Sequence, residues 1–287
     1  MNALFIPCYN RPEFLWHCLD NLTRCEGIEN VHVIFKPDSG YHPDNLRVIE
    51  QYTDRLTSYE VRAPLPPVAP LTKQSKNVLD GYRYAATQTD ELIYMVEEDV
   101  MVSTDFLTYH EAIHTAEPTL FASLSTKNPN RNVTTTEDPE SYYLTTGDYC
   151  SLGVCMRASV FSEHIEEHMC LSYYRNPIRY MGETFPNSDL NKSQAEQDGL
   201  IRRIQHESQL PLAYPHLPRA FHSGFYGYNR RQYITGSLEK KIQRIAETIY
   251  DPANMLAASL SPAYYQDSIP VNLNTPKWKT LRNCPIG

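Results

Sequence analysis

The stretch IYMVEEDVMV, residues 93–102, places three consecutive carboxylates directly against an apolar run. The run is typical of a buried strand, and the carboxylates are Glu97, Glu98 and Asp99. Like charges this close repel one another and raise one another's pKa, so the triplet destabilises the fold unless a cation or a polar ligand neutralises it. The triplet is therefore either a solvated acidic loop or part of a ligand site, and its surroundings decide between the two.

Apolar runs and helix-like segments alternate through the first hundred residues. Strand-like runs occur in NALFIPCYN (2–10), VHVIFKPDSG (31–40) and SYEVRAPL (58–65), and apolar residues recur at helical spacing in RPEFLWHCLDNLTRC (11–25). Such alternation predicts a mostly parallel sheet with helices on both faces. Ligands of these sheets bind beyond the carboxyl ends of the strands.

Polar residues end three of the predicted strands. They are Asn10 with Arg11, then Asp38, and then the acidic triplet. Because the carboxyl ends of neighbouring parallel strands meet at one edge of a sheet, we expect all three groups to line one crevice. A carboxylate cluster there suits Mg²⁺ or Mn²⁺, which prefer oxygen ligands and also hold substrate phosphates.

The composition is that of an ordinary folded chain. The residues are 41% hydrophobic and 21% charged, which excludes a disordered or fibrous protein. The length of 287 residues is enough for one large α/β domain or two small ones, and one domain is the simpler expectation. The formal charge of −8 argues against a general polyanion-binding surface. The N-terminal residues lack the features of a secretory signal, no stretch approaches the length of a membrane span, and the seven cysteines form no CxxC pair. These features predict a cytoplasmic protein with reduced thiols.

The sequence resembles the GT-A glycosyltransferases, which use nucleotide-sugar donors, over roughly residues 3–235. The resemblance is carried by FIPCYNRPEFLWHCLDNL (5–22), IFKPDSG (34–40), KNVLDGYRYA (76–85), YMVEEDVMVSTDFL (94–107) and AEQDGLIRRI (195–204). The chain is similar to the N-acetylglucosaminyltransferase I-like and family 2-like members. Its acidic element resembles the Asp-x-Asp motif in the Glu-Asp-Asp variant of the N-acetylglucosaminyltransferase I type, although the commonest spelling has Asp where this chain has Glu97.

The resemblance implies a donor site with Mn²⁺ or Mg²⁺. It makes Asp99 a metal ligand and turns Glu97 and Glu98 toward the nucleotide ribose or the waters of the metal. The implied contacts of the nucleotide base are Arg11 and Asp38, and those of the nucleotide or diphosphate region are Lys76 or Asn77.

A helix is predicted over NKSQAEQDGLIRRIQ (191–205), where Ser193 and Glu196 match a capping box. This start would place Asp198 beyond the first turn, where the helix dipole has largely faded, so capping does not explain Asp198. The resembling families have an Asp in this segment as general base, which takes the proton of the acceptor hydroxyl. That role is implied here for Asp198.

A late histidine lies in LPRAFHSGFYGYNRR (217–231), a loop-like segment with two glycines. Several GT-A enzymes place a late histidine on the metal or the diphosphate, and the resemblance implies this role for His222. Arg219, Arg230 and Arg231 are further candidates for holding phosphates, although solvated surface arginines would look the same in sequence.

A rival pattern is HEAIH (110–114), which matches the His-Glu-x-x-His of zinc peptidases on a helix that Ser103 can cap. The next residues, TAEPTL, lack the Gly and third His of one large class of these enzymes. HIEEH (164–168) satisfies the inverted pattern as well, which shows how easily such matches arise. A zinc metallopeptidase acting through His110, Glu111 and His114 is one alternative. A non-catalytic nucleotide-sugar-binding protein is another, although binding alone requires no base at Asp198.

The sequence thus predicts an α/β fold of the GT-A, Rossmann-like type in a single domain, with a mixed, mostly parallel sheet flanked by helices. The predicted domain covers residues 1–235, with a nucleotide-sugar-binding half (1–100) and an acceptor and catalytic half (101–235), and residues 236–287 form a helical tail packed on it. The predicted enzyme is a hexosyl- or N-acetylhexosaminyltransferase that uses a UDP-sugar, a divalent metal and Asp198 as base, with inversion. Its acceptor hydroxyl would belong to a glycan, a small molecule, a protein or a hydroxymethylated base in DNA.

Overall fold

The computed structural model describes residues 1–64, 66, 70–126, 141–186, 195–224, 235–249 and 282–283. Its strands are β1 (Asn2–Cys8), β2 (Val31–Pro37), β3 (Ser58–Val61), β4 (Leu92–Met95), β5 (Val100–Val102), β6 (Ala122–Leu124), β7 (Ser141–Thr145), β8 (Val154–Arg157), β9 (Leu212–Pro215), β10 (Ala220–His222) and β11 (Arg282–Asn283). Its α-helices are α1 (Pro12–Leu22), α2 (Asp44–Glu50), α3 (Pro70–Ala86), α4 (Phe106–Ala116), α5 (Ala158–Val160), α6 (Leu171–Arg175), α7 (Pro177–Thr184), α8 (Gln197–Ser208) and α9 (Leu238–Ile249). Short 3₁₀ turns occupy Ile28–Asn30, Thr53–Arg55 and Glu166–His168, and a π-helical turn occupies Phe161–Ile165.

One nine-stranded sheet organises the described residues, in the order β11-β7-β9-β6-β8-β4-β1-β2-β3. The strands β3, β2, β1 and β4 run parallel, as do β6 with β9 and β11 with β7. Only β8 and the β7–β9 pair introduce antiparallel neighbours within the described part of this sheet. Helices connect the first parallel strands, as βαβ units require. The predicted α/β fold with a mostly parallel sheet flanked by helices is confirmed.

Strand β1 is apolar at successive positions, with no alternation of apolar and polar residues, because both of its faces are buried. Ala3 and Phe5 face a core that α3 and α8 help to form, whereas Leu4 and Ile6 face a second core that includes α1 and α2. All four side chains are 0% exposed. A strand covered on both faces has no solvent side, so its hydrophobic run is continuous, as parallel strands require.

The helix α9 lies against α1. The His17 Nε2 atom is 2.9 Å from the carbonyl oxygen of Ile242, and Lys241 Nζ is 3.8 Å from Glu13 Oε1. These contacts belong to the first part of the predicted tail, 236–287. Apart from β11, the tail after Ile249 lies outside the described residues.

The predicted domain boundaries, at residues 100 and 235, stay a prediction.

No helix in the described ranges combines the length and the apolar character needed to cross a bilayer.

A close helix–sheet contact at Gly81 yields a test of this packing. A Cβ atom at Gly81, in the middle of α3, would lie 2.5 Å from two ring carbons of Phe5, whereas one at Gly182 in α7 would meet nothing within 4 Å. Alanine is the better helix former by about 1 kcal/mol, so Gly182→Ala should stabilise the protein. Gly81→Ala should instead lower the free energy of unfolding by about 1–3 kcal/mol, because Phe5 cannot move without disturbing the core.

Urea unfolding of both variants measures the difference. A Gly81→Ala protein that is as stable as Gly182→Ala would show that α3 does not pack this closely on β1.

Candidate active site

Three strand ends meet where the sequence predicts a crevice. The Tyr9 backbone N–H, just after β1, donates to Glu98 Oε2 at 2.6 Å, and the Asp38 N–H, just after β2, donates to the Cys8 carbonyl at 2.8 Å. Glu98 itself follows β4, the neighbour of β1 on its other side. The acidic triplet therefore lies at the carboxyl edge of the parallel strands and not in a solvated loop.

Arg11 bridges two carboxylates of the triplet. Its Nε donates to Glu98 Oε1 at 2.9 Å and its Nη1 donates to Asp99 Oδ2 at 2.7 Å. Glu98 and Asp99 are buried, with 2% and 3% of their surface exposed, while the Arg11 side chain keeps 23%. Burial alone lowers the pKa of the Arg11 guanidinium, but the charges of Asp99 and Glu98 outweigh it and raise that pKa. Arg11 is therefore a fixed positive charge inside the site.

The other side-chain contact of Asp99 comes from β10, more than a hundred residues later in the chain. Strand β10 pairs antiparallel with β5, which sets His222 opposite Val100 and places His222 Nε2 3.0 Å from Asp99 Oδ2. Burial raises the pKa of Asp99, but the His222 hydrogen bond and the Arg11 charge lower it to about 2. Asp99 is therefore ionised at neutral pH. Its other oxygen, Oδ1, is buried and has no hydrogen-bond partner among the described residues.

Gly224 leaves room for this pair. A Cβ atom at that position would overlap Asp99 Oδ2 and lie 2.6 Å from His222 Nε2. The sequence shows a glycine two residues after His222, but no pattern in the sequence assigns it to the site.

Glu97 and Asp198 lie on the other side of the triplet, near Ser151. The Ser151 hydroxyl lies 3.3 Å from Glu97 Oε1 and has Asp198 as an alternative acceptor, where its hydrogen bond partly offsets the rise that burial causes in the pKa of Asp198. Burial and the charges of Asp99 and Asp198 raise the pKa of Glu97 to about 8, so Glu97 is mostly protonated at pH 7. Burial also raises the pKa of Asp198, whose Oδ1 has no hydrogen-bond partner in the described part of the chain.

The predicted start of the Asp198 helix is wrong. The helix α8 begins at Gln197 with Glu196 at the N-cap, so Asp198 lies in its first turn and not beyond it. Ser193, the predicted cap, lies outside the described residues. A first-turn position favours an ionised carboxylate, yet burial still raises the pKa of Asp198. Helix capping is therefore not what determines the state of this side chain.

The end of β2 and the helix α3 provide a second polar wall. Asn77 Nδ2 donates to the Lys36 carbonyl at 3.0 Å, and the buried Lys36 Nζ donates to Asn77 Oδ1 at 3.3 Å. Burial raises the pKa of Asp38, and the charges of Lys73 and Lys36 oppose this. The Lys73 ammonium also lies 4.2 Å from the centre of the Tyr9 ring. The structure thus joins Asn77 to Lys36 at the end of β2 and places the charges of Lys36 and Lys73 near Asp38. The nucleotide contacts of Asp38 and Asn77 stay predictions.

Lys76 points elsewhere. Its Nζ is 2.6 Å from Asp80 Oδ2, one turn along α3. Of the pair Lys76 and Asn77, the structure joins Asn77 to the end of β2 and pairs Lys76 within its own helix.

The residues around Asp99 fit a divalent cation held by few protein ligands. No group of three or more His, Cys, Asp or Glu side chains that could hold a metal ion occurs within the described ranges. Asp99 and His222 nevertheless offer two ligand atoms 3.0 Å apart, and adjacent ligands of an octahedral shell with bonds of about 2.1 Å are separated by about 3 Å. The partnerless Asp99 Oδ1 adds a buried anionic acceptor at the same place. A Mn²⁺ or Mg²⁺ ion with two protein ligands takes its remaining ligands from substrate phosphates and water.

The three residues of the zinc-peptidase pattern, His110, Glu111 and His114, make structural hydrogen bonds between α4 and the sheet. His110 is 0% exposed, and its ring nitrogens lie 2.6 Å from Ser123 Oγ and 2.7 Å from Ser125 Oγ. His114 Nε2 lies 3.3 Å from the Cys155 carbonyl oxygen, and Glu111 accepts a hydrogen bond from Asn2 at 2.9 Å. These side chains stabilise α4 against the sheet instead of forming an open metal site.

Two smaller predictions near α4 are wrong. Ser103 does not cap the helix, since α4 begins at Phe106 with Asp105 at the N-cap, and the Ser103 hydroxyl donates to Asp105 Oδ1 at 2.5 Å. Arg219 is 0% exposed and its Nε lies 2.9 Å from Asp105 Oδ2, so it neither reaches a phosphate nor lies on the surface. Arg230 and Arg231 lie outside the described residues.

Comparisons with known proteins give a remote structural likeness. No protein-family model and no curated protein matches the chain. S. aureus TarS 1-349 in complex with UDP-GlcNAc aligns with a TM-score of 0.49 and 14% identity, over 92% of this chain and 69% of that one. The mannosyltransferase PcManGT from Pyrobaculum calidifontis in complex with GDP-Man and Mn²⁺ aligns with a TM-score of 0.44 and 11% identity, over 90% and 71%. Mouse xyloside xylosyltransferase 1 in its apo form aligns with a TM-score of 0.44 and 11% identity, over 72% and 82%.

The present protein spans only 41% of the length of the chain in another S. aureus TarS structure, with which it aligns at a TM-score of 0.48. Likeness at this level supports no inference about activity, so the function has to be argued from the site.

The first prediction from the site concerns Gly224. Gly224→Ala should push Asp99 and His222 apart and weaken Mn²⁺ binding in the presence of UDP by roughly tenfold or more, with the fold intact. Calorimetric titration measures the affinity, circular dichroism checks the fold, and Gly182→Ala is the matched control. Wild-type affinity in Gly224→Ala would mean that Asp99 and His222 do not act together.

The second prediction concerns the buried His114. Burial lowers its pKa to about 4, although its hydrogen bond to Cys155 raises it. An unfolded histidine titrates near pH 6.5, at about the value of the free side chain, so between pH 6.5 and about 4 the unfolded state binds more protons and stability falls as the pH falls. His114→Gln removes this contribution.

The melting temperature of His114→Gln should therefore depend less on pH between 7 and 4.5 than that of the wild type. The exposed His42→Gln change is the control and should keep the wild-type dependence. Equal slopes for His114→Gln and wild type would show that His114 does not remain neutral in the folded protein.

Proposed function

We propose that this protein is a GT-A glycosyltransferase that moves a sugar from a nucleoside-diphosphate sugar, a UDP-sugar, to an acceptor hydroxyl. The observation that carries the proposal is the gathering of Glu97, Glu98, Asp99 and Asp198 at the carboxyl edge of parallel strands, against one guanidinium. Even with Glu97 protonated, Glu98, Asp99 and Asp198 face a single fixed cation, so negative charge is in excess there. Such a site favours a divalent cation and a reaction in which charge develops on a leaving group.

The donor nucleotide would lie along the ends of β1 and β2. Asp38 and Asn77 offer hydrogen-bonding groups there, and Lys36 and Lys73 supply positive charge beside them. Tyr9, which is 38% exposed, adds an aromatic ring at the same edge, with the Lys73 ammonium 4.2 Å from the ring centre. In this proposal residues 1–100 hold the donor, and residues 101–235 form the acceptor side.

Asp99 and His222 would hold Mn²⁺ or Mg²⁺. When bound, such an ion neutralises the charge that develops on the departing diphosphate. The low pKa of Asp99 suits this role, because a metal ligand has to be ionised at the working pH. Protonated Glu97 adds no further charge at pH 7 and can donate a hydrogen bond into the crevice.

Asp198 would act as general base. Burial raises its pKa toward the working pH, which makes it a stronger base than an exposed carboxylate, and the Ser151 hydroxyl helps to orient it. The acceptor oxygen forms its bond to the anomeric carbon while the bond from that carbon to the phosphate oxygen breaks. The hydroxyl proton passes to Asp198, and the sugar is transferred with inversion.

The acceptor is proposed only as a hydroxyl-bearing molecule. A glycan, a small molecule, a protein and a hydroxymethylated base in DNA all offer the required group. The net charge of −8 favours an acceptor other than DNA, because non-specific affinity for DNA depends on neutralising phosphates. Residues 127–140, 187–194 and 225–234 of the acceptor half lie outside the described ranges.

A nucleotide-sugar hydrolysis panel with and without Mn²⁺ tests this function. We expect metal-dependent release of UDP from one of the UDP-sugars, with Asp99→Ala abolishing it. Asp198→Asn should leave UDP affinity unchanged and lower kcat by roughly 10²–10⁴-fold, the usual contribution of a general base.

The matched control is Asp20→Asn, which removes a buried carboxylate that pairs with Arg24 away from the site. Unchanged turnover in Asp99→Ala would contradict the proposal. Tight UDP-sugar binding by the wild type with no turnover would instead identify a non-catalytic binding protein.

A further inference from the structure

The Arg11 side chain occupies one oxygen, Oδ2, of the carboxylate that the proposed metal requires. Its Nη1 lies 2.7 Å from Asp99 Oδ2, and His222 Nε2 lies 3.0 Å from the same oxygen. A divalent ion that uses Asp99 and His222 together would place a second positive charge against the guanidinium. Two cations at one carboxylate oxygen repel each other, so Arg11 and the metal compete for Asp99.

The hydrogen bond from Arg11 Nε to Glu98 does not compete with the proposed metal. The Arg11 Nε donates to Glu98 Oε1 at 2.9 Å, and the Tyr9 backbone N–H holds Glu98 Oε2 at 2.6 Å. Glu98 is thereby fixed by the end of β1. The Arg11 side chain is 23% exposed, so the Nη end can leave Asp99 while the Nε bond stays.

We propose that Arg11 is an exchangeable internal cation, which pairs with Asp99 in the ligand-free protein and turns about its Glu98 bond to face the donor diphosphate when a divalent ion takes Asp99 and His222. This inference rests on the proposed donor and metal site. A guanidinium matches the geometry of phosphate oxygens through two parallel hydrogen bonds. Arg11 would then contact the diphosphate and not the nucleotide base.

The exchange predicts that metal and nucleotide bind together. Without a diphosphate, the metal has to break a charge-assisted pair and leaves the Arg11 Nη groups without an anion. With a diphosphate, both cations have anionic partners. Each ligand should therefore raise the affinity of the other by the same factor, as thermodynamic linkage requires.

Titration of the full-length protein with Mn²⁺, followed by the electron paramagnetic resonance signal of the free ion, tests this without any turnover. In the absence of nucleotide, Arg11→Met should bind Mn²⁺ about ten- to a hundredfold more tightly than the wild type, the range expected for the loss of a competing charge-assisted bond. Saturating UDP should tighten Mn²⁺ binding strongly in the wild type and much less in Arg11→Met.

The control is Arg24→Met, which removes another arginine–aspartate pair, at 2.7 Å, away from the triplet and should leave Mn²⁺ affinity unchanged. A folded Arg11→Met protein whose Mn²⁺ affinity is equal to or weaker than that of the wild type overturns the inference.

Arg11→Lys is the second variant, since it keeps the charge and protects the fold if Arg11→Met does not fold. A single ammonium cannot bridge two carboxylates as a guanidinium does, so its Mn²⁺ affinity should lie above that of the wild type. Unchanged affinity in Arg11→Lys also overturns the inference.

The result separates this inference from the proposed function. If wild-type protein with UDP binds Mn²⁺ and turns over a UDP-sugar while neither Arg11 variant gains affinity, only the exchange is wrong. If no variant binds Mn²⁺ even with UDP, the metal site of the proposed function is wrong as well.

Discussion

Repulsion among four carboxylates at one edge of a sheet is the constraint on which the rest of the site depends. Glu97, Glu98, Asp99 and Asp198 are drawn together by the strand ends and by α8, and burial strengthens every interaction between them. The Arg11 guanidinium offsets part of this charge through its two hydrogen bonds. The remainder has to be absorbed by protonation or by a bound cation.

The same constraint separates the carboxylates into different protonation states. Asp99, beside His222 and Arg11, has a pKa of about 2, whereas Glu97, beside Asp99 and Asp198, has a pKa of about 8. Asp99 is therefore ionised at pH 7, whereas Glu97 is neutral and can donate a hydrogen bond. Asp198, with a raised pKa and a partnerless oxygen among the described residues, is suited to accept a proton. Similar side chains thus differ in protonation because their surroundings differ.

The fold and the place of the crevice were predictable because both depend on local patterns. The continuous apolar run of β1 reflects a strand covered on both faces, and polar residues after β1, β2 and β4 mark the edge where ligands bind. The sequence predicts Arg11 beside the triplet, and the family resemblance implies Asp99 and His222 at one metal. The individual hydrogen bonds, such as that from Ser151 to Glu97, join residues far apart in the chain and could not be predicted. Gly224 has no side chain to signal its role, and only the space beside Asp99 reveals it.

The errors of prediction have physical reasons as well. A capping-box pattern suggested an earlier start for α8 than Gln197, because such short patterns do not report where the chain enters a helix. The rival zinc-peptidase pattern, kept only as an alternative, shows the same weakness of short patterns, because the spacing of His110 and His114 does not show whether their helix face is buried. Both ring nitrogens of His110 lie within hydrogen-bonding distance of serine hydroxyls, those of Ser123 and Ser125. Arg219 looked like a surface arginine, yet it is fully buried against Asp105.

The central claim is that the carboxyl-edge site holds a divalent ion against the diphosphate of a nucleotide. The most direct measurement is a crystal structure of the protein grown with UDP and Mn²⁺, with anomalous diffraction collected to locate the manganese. We expect one manganese peak within bonding distance of Asp99 and His222 and of the UDP phosphate oxygens, with Arg11 turned away from Asp99. Ordered UDP at the ends of β1 and β2 with no manganese beside Asp99, or UDP bound at another surface, would contradict the account.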